Sequence, residues 1–204
     1  MNVYAFSALC ALVTLVLISL VAFFKALDRR TGNVFVFLNI IIIFWVVGCL
    51  IESTTNSIEI ARWADMLLYA GAAFAPTIYL HLILVVTKEE ARKKSALAAA
   101  YVGSGIVLLF NLVPSLRPYF IKDVARLFDF RFVSVPAAGW YVYVLFYSSI
   151  VVYMLSVLYK SYRESMGVRK EQLKYFFLSS FVLVMGGTTY CALVVGWLNV
   201  PIDN

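Results

Sequence analysis

The sequence predicts an all-α fold, a polytopic transmembrane helical bundle of six spans with its N-terminus outside, and three observations carry that prediction. Of 204 residues, 63% are hydrophobic and only 14% are charged, against about 45–50% and 25% in an ordinary soluble domain. Nearly uncharged runs of about 20 residues, the length that crosses a hydrocarbon core about 30 Å thick, recur from one end of the chain to the other. The cations fall in short clusters between those runs, and large clusters alternate with small ones. One membrane domain over residues 1–204 is therefore expected, not a soluble domain with an anchor.

The first run, 3–24, is followed by Lys25, Arg29 and Arg30. A cleavable signal peptide has its positive residues before a shorter apolar region, so this is read as a retained first helix. The further runs are 33–50, 60–86, 95–113, 135–159 and 174–198. Turn and helix-end residues fill the connections, including Gly32, Ser53, Ser57, Pro114, Pro118 and Gly167. In the long connection 114–136, Phe120, Ile121, Val124, Leu127 and Phe128 recur at helical spacing and predict a short amphipathic helix. Phe128, Phe130 and Phe132 then alternate with Asp129, Arg131 and Val133, which predicts a short strand. Trp63, Trp140 and Trp197 fall at the outer ends of spans, as an interfacial aromatic belt requires.

Orientation follows from charge. Twelve of the 17 Lys and Arg lie in the first, third and fifth connections, and five, Arg62, Arg117, Lys122, Arg126 and Arg131, in the second and fourth. Cations in short loops stay cytoplasmic, which makes the N-terminus extracytoplasmic and the protein a multi-pass component of the cell membrane. An even number of spans returns the C-terminus outside, so a seventh span is expected beyond Asn204. The net charge of +6 is thus a set of topology signals, and no nucleic-acid partner is expected.

No arrangement of residues nominates a catalytic, cofactor or metal site. There is one histidine and no Gly-rich phosphate loop. Cys10, Cys49 and Cys191 lack metal-ligand spacing and read as small buried residues. The candidate ligand-binding residues are Glu52, Arg62, Asp65 and His81. Glu59, Arg62 and Asp65 are three apart in turn, share a helix face and can pair with one another. They form either an ion-pair cluster at the headgroups or the lining of an outward-facing cavity. His81 is placed within the inner half of the third helix, as a proton-sensitive or ligand-contacting group or as a helix-to-helix hydrogen bond to a Tyr or Ser.

Asn39, Thr77, Asn111, Ser148, Ser149, Thr188 and Thr189 are expected to turn away from lipid, because an unsatisfied polar group in hydrocarbon costs several kcal/mol. Pro76, after Gly71 and a run of alanines, is expected to kink the third helix. Gly186 and Gly187 permit close helix approach in the sixth, and the four positions are the candidate hinge.

Asn39, Trp45, Glu52 and Arg62, followed by Gly71, Phe74 and Pro76, resemble the pattern of the seven-helix N-terminal sensor region of bacterial and archaeal histidine kinases. Arg169, Gln172 and Lys174, followed by Gly186 and Gly187, are similar to the segment that opens that family's sixth helix. The similarity spans residues 30–204. It implies a membrane sensor whose seventh helix leads into cytoplasmic PAS, GAF, histidine-kinase or cyclic-dinucleotide synthase modules. The implied role of these residues is detection and transmission, not phosphoryl transfer. The expected partners are membrane lipids, a small ligand of unknown identity and a second copy joined through the output region. A small transporter or channel subunit is the competing reading, since polar positions and kinks in spans also suit transport. An intramembrane enzyme ranks last.

Overall fold

The computed structural model describes residues 3–25, 28–128 and 131–195. The elements in chain order are α1 (Val3–Lys25), α2 (Arg29–Glu52), α3 (Ile58–Thr87), α4 (Lys94–Leu112), α5 (Arg117–Phe120), β1 (Ile121–Phe128), β2 (Arg131–Pro136), α6 (Ala138–Glu164) and α7 (Gly167–Val194). The fold is helical, with one antiparallel hairpin. Among the described residues, five helices, α1 to α4 and α6, are long and apolar enough to cross a membrane. The sixth expected span coincides with α7, except for its last residues, which with Trp197 lie outside the described residues.

Helix starts follow from capping. The Asp28 carboxylate accepts from the backbone N–H groups of Arg30 and Thr31 and begins α2, and Ser57 does the same for Ile60 in α3. The Thr31 hydroxyl also donates to Asp28 at 2.5 Å. Together with the two backbone donors, this holds the Asp28 carboxyl below its usual pKa. Helix α3 is the axis of the bundle. It packs against α2, α4, α6 and both strands, and Leu68, Ile78, Ile83 and Leu84 have no appreciable exposure. It is pressed on α2 at Gly71, where a Cβ would lie 2.6 Å from the Ile41 carbonyl oxygen and 2.7 Å from the Trp45 nitrogen. By contrast, α1 sits at the edge against α2, with most of its large apolar side chains facing outward.

The hairpin replaces the amphipathic helix expected over 120–128. Only Arg117–Phe120 is helical, and Ile121–Phe128 pairs with Arg131–Pro136. The register explains the misleading pattern. Ile121 faces Pro136 while Asp123 faces Val135, so Lys122 is an extra residue, a bulge that resets the alternation of faces. Ile121 and Val124, three apart, are therefore both buried in a strand, and a bulged strand has the spacing of a helix. The expected alternation around Phe130 falls partly on residues 129–130, outside the described residues.

Three further expectations are corrected. Trp140 is 1% exposed and belongs to the core, where its indole N–H has a partner, not to an interfacial belt. Cys10 faces outward on α1, while Cys49 and Cys191 are half-buried. Ser148, Ser149, Thr188 and Thr189 are on exposed faces. There Ser149, Thr188 and Thr189 satisfy their hydroxyls on carbonyls of their own helix, three or four residues back, so they need no neighbouring helix. Asn39, Thr77 and Asn111 do turn inward.

Candidate functional site

A cavity of about 80 Å³ lies between α2, α3, α6 and α7. Its walls come from matching stripes. On α3, Tyr69, Ala72 and Pro76 stand at positions i, i+3 and i+7, and on α6 Trp140, Tyr143 and Tyr147 repeat that spacing, so each helix turns one face to the same space. Trp45 of α2 and Tyr190 of α7 close the sides with rings 6.2 Å apart at right angles.

The hydroxyls around this space are largely committed. The Trp140 indole N–H donates to the Tyr69 hydroxyl at 2.7 Å, and the Tyr79 hydroxyl lies 2.8 Å from that of Ser180. Tyr143 donates to the Ala72 carbonyl at 3.1 Å. That last bond has a cause in the sequence. Pro76 has no N–H, so the carbonyl four residues before it loses its helical partner. The α6 tyrosine supplies the donor that hydrocarbon cannot.

The hairpin covers the end of the cavity nearest Tyr69 and Tyr190. Asp65, with no exposed surface, accepts from Arg117 at 2.6 Å and from the Ser134 hydroxyl at 2.5 Å. Arg117 also donates to the backbone and side-chain oxygens of Asn111, whose amide donates to the Met66 carbonyl at 2.7 Å. The Ser134 hydroxyl lies 3.4 Å from that of Tyr190. One buried carboxylate thus ties α5 and β2 to α3 directly above the aromatic space. Farther out, Arg62 makes two hydrogen bonds to Asp123, at 2.8 and 2.9 Å. They hold the Asp123 carboxyl below its usual pKa.

The four candidate ligand residues are not brought together. Asp65 and Glu52 converge at the hairpin end, both within electrostatic reach of the Tyr190 hydroxyl. Glu52 ends α2 and is completely buried. Arg62 is on the outer surface with Asp123. His81 is near the opposite end, where its ring nitrogens lie 2.9 Å from the Tyr101 hydroxyl and 3.3 Å from Glu90. The expected pairing along the 59–62–65 face gives way to partners across the fold, because Arg62 points out to β1 while Asp65 points in. Of the hinge candidates, Gly71 is pressed on α2, and Pro76 lies inside a continuous helix. Gly187 faces Tyr147, whose hydroxyl would be 2.6 Å from a Cβ there. Gly186 is helical and its surroundings are not described.

Sequence reading missed Arg117, Ser134 and the tyrosine wall. The Trp140, Tyr143, Tyr147 stripe was visible as helical spacing, but a stripe does not name the helix it faces. Among the described residues, no group of three or more His, Cys, Asp or Glu side chains could hold a metal ion. No curated protein and no solved structure matches the chain. A family model described as the N-terminal 7TM region of histidine kinase does match, over residues 6–202, and the chain therefore belongs to this family of membrane sensory input regions.

Proposed function

We propose that the chain is the sensing part of a transmembrane receptor in which a small molecule, held in the cavity between α2, α3, α6 and α7, changes helix packing. The change passes through α6 and α7 to a cytoplasmic output such as a histidine kinase. The observation that carries this reading is the cavity's position. Its walls belong to the central pair α2 and α3 on one side and to the last two helices on the other, so an occupant touches both and can favour one of two packings. Glu52 and Asp65 act on the cavity through Tyr190. Arg62 fixes the hairpin, His81 fixes the opposite end, and Gly71, Pro76, Gly186 and Gly187 are the positions where packing changes.

In this reading α7 is the sixth crossing, supported by the absence of any charged residue from Phe176 to Val195. The hairpin end faces outward, supported by its five cations against twelve at the other end. Lipids surround the bundle, and the output region joins two copies.

Two experiments test it. In a background with the three native cysteines replaced, single cysteines at Ser57 and Asp203 are expected to label from outside and those at Lys93 and Ser165 from the cytoplasm. Labelling of Asp203 only from the cytoplasm would refute the six-span orientation. In the full-length receptor, Tyr147→Phe and Gly187→Ala are expected to shift the dose of stimulus needed for output while expression is unchanged. Output indifferent to both would remove the cavity from the sensing role.

A further inference from the structure

We propose that the cavity takes a small, uncharged, flat molecule of about one ring that carries a hydrogen-bond acceptor such as a carbonyl. The proposal rests on the reading of this cavity as the input site and adds the chemistry of what enters it.

Size comes first. One water needs about 10–15 Å³ of such space and occupies about 30 Å³ as liquid. The cavity's 80 Å³ therefore corresponds to about six waters, on the order of 200 Å³ of liquid, the room a substituted single ring fills.

Charge is decided by magnitude. No Lys, Arg, His, Asp or Glu lines the space among the described residues, and the nearby Asp65 already has Arg117. The aromatic walls could attract a cation through their faces, but stripping an ion of its water costs more than those faces return. A neutral occupant wins. For a flat one, edge and face contacts with Trp45, Tyr143 and Tyr190 add attraction beyond the area they bury.

Polarity is decided by counting hydroxyls. Tyr69 accepts from the Trp140 indole and has the Ser134 hydroxyl as its second partner, Tyr79 lies against Ser180, Tyr143 donates to the Ala72 carbonyl and Tyr190 lies against Ser134. Tyr147 alone among these wall tyrosines makes no hydrogen bond within the described residues. Its hydroxyl stands at the seam of α6 and α7, next to Gly187. A phenol with an unspent proton in an apolar wall calls for an acceptor. The bond it forms would lie on the two helices that lead away from the bundle.

The test uses the full-length receptor in phosphatidylcholine nanodiscs with every tryptophan outside the cavity wall, Trp63 and Trp197 among them, changed to Phe, so that emission comes from Trp45 and Trp140. Acetophenone, a ring with one carbonyl, is expected to quench that emission saturably. Tyr147→Phe is expected to weaken its binding about five- to tenfold, the worth of one neutral hydrogen bond. Gly187→Ala, which pushes the Tyr147 hydroxyl into the space, is expected to weaken it as well and serves if the first variant does not fold. Benzoate, the same shape with a charge, is expected to show no saturable quenching. Acetophenone quenching that rises linearly and is equal in all variants would show partition into lipid only and overturn the proposal, as would tighter binding of benzoate. Saturable binding of acetophenone with no change in output would instead count against the sensing role and leave the ligand chemistry standing.

Discussion

At the hairpin end, Asp65 has no exposed side-chain surface and meets Arg117, itself 16% exposed, at 2.6 Å. At the other end, His81 and Glu90 are each 22% exposed, and Glu90 meets Arg30, which is 67% exposed, also at 2.6 Å. Equal distances conceal unequal roles, because the same Coulomb attraction is several-fold stronger where water is excluded, and so is the penalty for an unpaired charge. The buried pair is indispensable once its charges are inside, although it contributes little net stability over apolar residues. The exposed pair is worth about 0–1 kcal/mol. The hairpin end is therefore built to keep its cover seated, and the opposite end holds its partners loosely.

The sharpest way to break this contrast is Arg117→Ala. It strands a buried carboxylate, and a loss of about 3–5 kcal/mol is expected, seen as a large drop in the thermal unfolding midpoint of the purified protein. Replacing both partners, Asp65→Asn with Arg117→Gln, should recover most of it. An unchanged midpoint for the single variant would mean that water reaches Asp65. Next comes Ser134→Ala, which removes one donor from the same carboxylate and should cost about 1.5–3 kcal/mol in the same assay. Arg30→Ala, at the opposite end, should cost no more than about 1 kcal/mol in the same assay, and a loss as large as that of Arg117→Ala would erase the distinction between the ends.

The smallest effect is that of pH on the hairpin. Because Arg62 holds Asp123 below its usual pKa, the contribution of that pair is whole above the ordinary carboxylate value of about 4. It is lost as pH falls through the lower folded value. Amide exchange in β1 should accelerate only below about pH 4; loosening already at pH 6 would assign the hairpin's anchorage to another group.

The helices were readable because crossing a membrane is a matter of length and apolarity. The expected run 60–86 became Ile58–Thr87, and 135–159 became Ala138–Glu164. That second start moved because Val135 and Pro136 are committed to β2. What was not readable depends on partners distant in sequence. Asp65 and Arg117 are 52 residues apart, and Arg62 and Asp123 are 61 apart, so the local three-residue rule offered Glu59, Arg62 and Asp65 to one another instead. Trp140 looked interfacial by its place at a helix start, and its true partner, Tyr69, is 71 residues away. The bulge at Lys122 is a further case, since one extra residue turns a two-residue period into three.

The carbonyl that Pro76 leaves unpaired gives α3 and α6 a common notch. Tyr143 fills it, and a displacement of α6 by a fraction of a turn would leave that oxygen facing hydrocarbon with nothing to bind, at several kcal/mol. The neighbouring turn of α6 lies about 5.4 Å away. Any sliding between these two helices would thus be indexed, held at one setting or released from it, and a proline that weakens a helix would make the contact between two helices count in whole steps.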